Sequence, residues 1–108
     1  MPLSTGPVKD AVIAASVAGD IELVALVAGK KIRVLNYTII AAGDVVVRFE
    51  SGPGGTALTG LLTLTASSGA APNGGDHGLF ETASGAALSL ELASSIVIGG
   101  HLSYQEIS

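Results

Sequence analysis

Apolar and polar residues alternate along this chain in short runs separated by Gly, Pro, Asp and Ser. A two-residue period of this kind predicts strands rather than helices. The longest run, residues 30–42, sets Ile32, Val34, Asn36, Thr38 and Ile40 on one face and Arg33, Leu35, Tyr37 and Ile39 on the other. Both faces carry apolar groups, which reads as a strand that is central or covered on both sides. Ala42-Gly43-Asp44 predicts a turn, after which Val45 to Ser51 resumes with Val45, Val47 and Phe49 against Val46, Arg48 and Glu50. Two runs joined so tightly are expected to pair as a hairpin.

Beyond the breaker Ser51-Gly52-Pro53-Gly54-Gly55-Thr56, further strands are predicted at Leu61 to Thr65, Leu79 to Thr82, Ala87 to Ala93 and Ile96 to Ile107. In the third of these, Leu88, Leu90 and Leu92 point inward and Ser89 and Glu91 outward. In the last, Ile96, Ile98, Leu102 and Tyr104 share a face opposite Val97, His101, Ser103 and Gln105, and Gly99-Gly100 predicts a bulge or a close backbone approach. Residues 66–78, rich in Ser, Gly, Ala, Pro, Asn and Asp, read as an exposed loop. Val8 to Val17 and Ile21 to Val27 read as strands split by Ala18-Gly19-Asp20, although their alanine content also suits a helix.

Roughly eight short strands with regular turn signals predict an all-β, single-domain antiparallel β-sandwich, jelly-roll-like, with an immunoglobulin-like sandwich as the alternative. Residues 1–10, with Pro2, Gly6 and Pro7, are expected to form an extended N-terminal arm, and residues 11–108 the β-sandwich domain.

Composition sharpens this picture. Of 108 residues, 48% are apolar and only 13% are charged, about half the ~25% usual in a soluble domain. A small domain has much surface to cover, so the deficit points to self-association or docking. The net charge of −4 argues against a nucleic-acid partner, which needs a basic stripe; Lys30, Lys31 and Arg33, with Arg48, offer at most a modest patch. There is no cysteine, which removes disulfides, Cys-based zinc sites and Cys nucleophiles. No signal-peptide pattern opens the chain, and Asp20 and Glu22 interrupt the longest apolar stretch, Ala11 to Ala28. A protein made in the cytoplasm, with no membrane partner, is expected.

Candidate chemistry is sparse. His77 lies beside Asp76 in a Gly-rich loop, two adjacent ligands at most, and His101 alternates outward as a surface or interface residue. Asp10, Asp20, Asp44 and Asp76 fall at predicted turns; Glu22, Glu50, Glu81, Glu91 and Glu106 are expected to mark solvent faces, with no sign of a carboxyl pair. The Gly-rich stretches 52–55 and 73–75 lack the Lys-Ser/Thr of a phosphate loop. With no Trp, and two Tyr and two Phe, stacking platforms for sugars are scarce, Tyr37 and Tyr104 being the candidates. No catalytic residue, cofactor or metal site is expected, and the chain reads as a non-enzyme.

Five blocks, in order, carry a resemblance: Gly29-Lys30-Lys31-Ile32-Arg33-Val34-Leu35-Asn36-Tyr37; Val45 to Gly52; Thr56-Ala57-Leu58-Thr59-Gly60; Gly78-Leu79-Phe80-Glu81-Thr82-Ala83-Ser84-Gly85-Ala86-Ala87-Leu88; and Gly99-Gly100-His101-Leu102-Ser103-Tyr104. Together the set resembles a group of short tailed-phage virion proteins, with one departure at Leu79, where that group carries a larger aromatic. The resemblance implies a capsid decoration (cement) protein. Such a protein is a β-sandwich homotrimer on the capsid exterior that binds the major capsid protein and stabilises the head. The alternative it implies is a tail- or fibre-associated module that recognises a receptor or glycan. Either role needs a contact surface. Leu35, Tyr37 and Ile39, left over on the second face of the 30–42 strand, together with His101 and Tyr104, are the residues expected to provide it.

Overall fold

The computed structural model describes residues 7–52, 55–75 and 78–107. They form ten strands, with no α-helix among the described residues. In chain order these are β1 (Lys9–Ala15), β2 (Gly19–Val24), β3 (Lys31–Ala41), β4 (Val45–Ser51), β5 (Thr56–Ala57), β6 (Leu62–Leu64), β7 (Gly69–Ala70), β8 (Phe80–Glu81), β9 (Leu88–Leu92) and β10 (Ile98–Ile107). One sheet, here sheet A, runs β1-β10-β3-β7 with β8 also on β3; sheet B runs β2-β9-β4-β5 with β6 also on β4. Every pairing is antiparallel.

If β5 with β6, and β7 with β8, each fill one position, every sheet has four. The outermost pair of strands in sequence, β1 and β10, then lies beside β3 in one sheet, and the next pair, β2 and β9, beside β4 in the other. This wrapping of a long hairpin into two sheets is the jelly-roll form of the sandwich. The N-terminal runs are strands, not helices. The arm expected over 1–10 does not include Lys9 and Asp10, which pair with Tyr104 and Ser103; Met1 to Gly6 lie outside the described residues.

The expected hairpin between residues 30–42 and 45–51 does not form: β3 belongs to sheet A and β4 to sheet B. The short connection is held by other parts of the chain instead. Ala41 and Ala42 donate to the carbonyls of Ser68 and Val97, both at 2.9 Å, and Asp44 Oδ1 accepts from the Ala66 amide at 3.1 Å. These bonds satisfy the backbone as it crosses between sheets.

The core fills the space between the sheets. Sheet A sends in Ile13, Ile32, Val34, Tyr37, Ile39, Ala41, Ile98 and Leu102; sheet B sends in Val24, Val45, Val47, Phe49, Leu64, Leu88, Leu90 and Leu92. Tyr37 and Phe49 meet across it with ring centroids 4.7 Å apart, and Phe80 joins at 5.1 Å from Phe49. Each such tilted pair adds about 0.5–1.5 kcal/mol to the burial itself.

Simple alternation fails on β3, and the reason is one residue. The register with β10 runs Asn36 to Ser103 and then Val34 to Tyr104, so Leu35 is an extra residue, a β-bulge. Ile32 and Val34 point inward before it, and Tyr37, Ile39 and Ala41 after it. The bulge reverses the parity of the strand and brings both halves of its apolar set to the same core. The close approach expected at Gly99-Gly100 is present: Gly100 has φ +153°, and a Cβ there would collide with the Thr38 carbonyl. The bulge itself lies elsewhere.

Candidate functional site

The residues expected to form a contact surface are placed differently by this bulge. Tyr37 and Ile39 are core residues, and Leu35 is also buried, its carbonyl accepting the Gly74 amide at 2.8 Å. These three are therefore unavailable to a partner, a correction to the expectation. Tyr104 is half-buried against the core. Only His101 is exposed, on the outer face of sheet A. His77 and Asp76 lie outside the described residues.

The outer face of sheet A is read directly from the register. One row is Ala14, Gly99, Ile40 and Gly69; the next is Val12, His101 and Thr38. Neither row holds Lys, Arg, Asp or Glu. Val12 is 75% exposed and Ile40 55%, and Val97, 58% exposed, joins Ile40, Ala42 and Ser67 around a shallow groove at one end of this face. Isolated exposed valines are ordinary; here Val12, Ile40 and Val97 add exposed apolar side chains to the charge-free part of one sheet face.

Sheet B has the opposite outer face. Its rows are Asp20, Glu91 and Arg48, then Glu22, Ser89, Glu50 and Ala57. The i, i+2 spacing of Arg48 and Glu50 puts both on this face while Phe49 between them faces the core. Glu50, expected to mark solvent, is 0% exposed, and Asp10 and Asp20, expected in turns, lie within β1 and β2. The Arg48 guanidinium reaches Glu50 Oε2 at 2.9 Å and Glu91 Oε1 at 2.9 Å. One oxygen from each of Asp20, Glu50 and Glu91 falls within 4.8 Å of the others. Burial, and then the contact with the Asp20 carboxyl, hold Glu50 above its usual carboxylate range, while Arg48 pulls the other way.

The expected basic patch does not assemble around Arg48, which sits on the other sheet from Lys31 and Arg33. Lys31 and Arg33 both contact Glu81, at 3.5 and 3.2 Å, and Lys9 contacts Glu106 at 2.9 Å. Those pairs are at least partly exposed and contribute little stability. Thr82, buried, is fully used: its Oγ1 accepts from the Ile32 amide at 2.9 Å and donates to the Ala83 carbonyl at 3.0 Å. It tethers β8 rather than offering a nucleophile.

No protein-family model and no curated protein matches this sequence. Among solved structures, one described by the words "Bacillus endospore appendages form a novel family of disulfide-linked pili" matches with a TM-score of 0.53 and 12% identity, over 97% of this chain and 90% of that one. At that identity the likeness is one of fold.

Proposed function

We propose that this domain is a non-enzymatic structural subunit that works by being built into a larger assembly, as a capsid decoration protein seated on the outside of a phage head. The observation that carries the assembly reading is the outer face of sheet A, where Val12, Ile40 and Val97 stand exposed beside two rows without a charged residue. Covering such a face removes apolar area from water at about 25 cal/mol per Å². The virion setting, the homotrimer and the major capsid protein as partner come from the ordered resemblance to tailed-phage virion proteins.

A second reading is favoured by the fold likeness to an appendage pilus subunit: self-association into an open filament. With no cysteine in these 108 residues, a filament built from them would lack the disulfide links named for that neighbour. The two readings differ in symmetry, since decoration by trimers is closed and a filament is open.

The test is add-back. Heads of the cognate phage assembled without this chain are expected to gain heat resistance when the purified protein is added, saturating at a fixed ratio to the major capsid protein. Light scattering on the free protein is expected to give a closed trimer. Unchanged heads, or a free protein that grows with concentration into filaments, would reject decoration.

A further inference from the structure

We propose that the outer face of sheet B binds a divalent cation of the calcium class between Asp20, Glu50 and Glu91. The site is independent of the virion reading. Three carboxylates face one guanidinium there, which leaves an excess charge of −2 when all are ionised. An acidic cluster on a surface needs no ion, because water solvates it. Glu50 is different. Its side chain is 0% exposed, and its Oε1 has no hydrogen-bond donor. The Ser89 hydroxyl, directly opposite Glu50 in the register with β9 and on the same face, is also fully buried and unpartnered.

Buried oxygens of this kind are rarely left unsatisfied, and an orphaned charged oxygen is the costliest case. Arg48 engages Glu50 Oε2 and Glu91 Oε1 and so fixes both carboxylates while leaving Glu50 Oε1 unmet.

The dimensions admit Ca²⁺, and the cost of dehydrating Mg²⁺ favours it. Ligand oxygens on opposite sides of Ca²⁺ lie about 5 Å apart, against about 4 Å for Mg²⁺, which also gives up its water reluctantly. The oxygens of Asp20, Glu50 and Glu91 lie within 4.8 Å of one another, so Ca²⁺ fits with little movement. Asp20 is exposed and Glu91 partly so, which provides the path of entry and leaves room for coordinating waters. Few protein ligands and an adjacent guanidinium place the affinity at the weak end, with Kd of about 0.1–1 mM.

The test uses the intact chain stripped with EDTA, titrated calorimetrically with CaCl₂ and in parallel with MgCl₂ at constant ionic strength near pH 7.5. One Ca²⁺ per chain is expected, raising Tm by about 6–12 °C at about 10 mM, with a smaller response to Mg²⁺. E50Q is expected to stay folded and lose the response; E106Q, in sheet A, is expected to keep it. Absence of both binding heat and a Tm shift in the wild type would overturn the proposal, as would an E50Q variant that responds like the wild type. A wild type that ignores Ca²⁺ but loses stability, through Glu50, as pH rises would show that a proton, not a cation, meets Glu50 Oε1, and would equally overturn it.

Discussion

Sheets A and B are built alike and share one core, yet the sides they turn outward differ in kind. Sheet A presents Val12, Ala14, Thr38, Ile40, Gly99 and His101, without a Lys, Arg, Asp or Glu in the two rows they form. Sheet B presents Asp20, Glu22, Arg48, Glu50, Ser89 and Glu91. Sheet A carries charge in its other rows, Asp10 in one and Arg33 with Glu81 in another, so the charge-free part is one end of that face. Sheet B holds its charges in a partly buried network, whereas the charge-free end of sheet A leaves Val12 and Ile40 in water.

The most severe way to break this contrast is to exchange the two sides of sheet A. Deleting Thr38 would shift the parity of β3 after Tyr37, turning Ile39 and Ala41 out and Ile40 in. Cooperative thermal unfolding is expected to disappear. Deleting Leu35 instead removes the extra residue of the bulge and keeps Ile32, Val34, Tyr37 and Ile39 on one side, so calorimetry is expected to show a single transition at reduced Tm.

On sheet B, Arg48→Ala leaves Glu50 buried without its counter-charge. A loss of about 3 kcal/mol is expected from denaturant unfolding at pH 7, against less than about 0.5 kcal/mol for Lys31→Ala, whose pair with Glu81 is exposed.

The pH dependence of Glu50 is a smaller effect with a definite sign. Its folded pKa is raised above the ordinary value of 4.5, so in the absence of divalent cation the native state binds the proton more tightly than the unfolded one. That contribution is fully present below pH 4.5 and is lost as pH rises through the folded value. Chelator-treated protein is thus expected to gain stability on acidification toward pH 4.5, and Glu50→Gln to flatten that part of the profile in a Tm-against-pH series.

Much of the fold was legible because period-two alternation is a local signal. Val45 to Ser51 and the inward leucines Leu88, Leu90 and Leu92 are read correctly from sequence. The sheet assignment of β4 was not legible: a Gly-Asp turn has the same local chemistry whether the chain folds back or crosses to the other sheet, and what decides is Ser68, Val97 and Ala66, remote in sequence.

The bulge at Leu35 was hidden for a related reason. An inserted residue leaves an unbroken apolar run, and only the partner strand shows that Leu35 has no opposite number. This is why Leu35, Tyr37 and Ile39 looked like a spare surface. The carboxylate cluster is assembled from β2, β4 and β9. Its one local trace is Arg48-Phe49-Glu50, an ion pair across a buried aromatic, which marks a shared face and not its burial.

The smallest effect on stability belongs to the face proposed to make the contact. Val12→Asp with Ile40→Asp replaces exposed residues only, and Tm is expected to change by less than about 2 °C. Co-sedimentation of this double variant and of the wild type with phage heads lacking the protein tests the central claim most directly. The wild type is expected to pellet with heads to saturation and the folded double variant to stay in the supernatant. Wild type left in the supernatant, or a variant that pellets equally well, would contradict it.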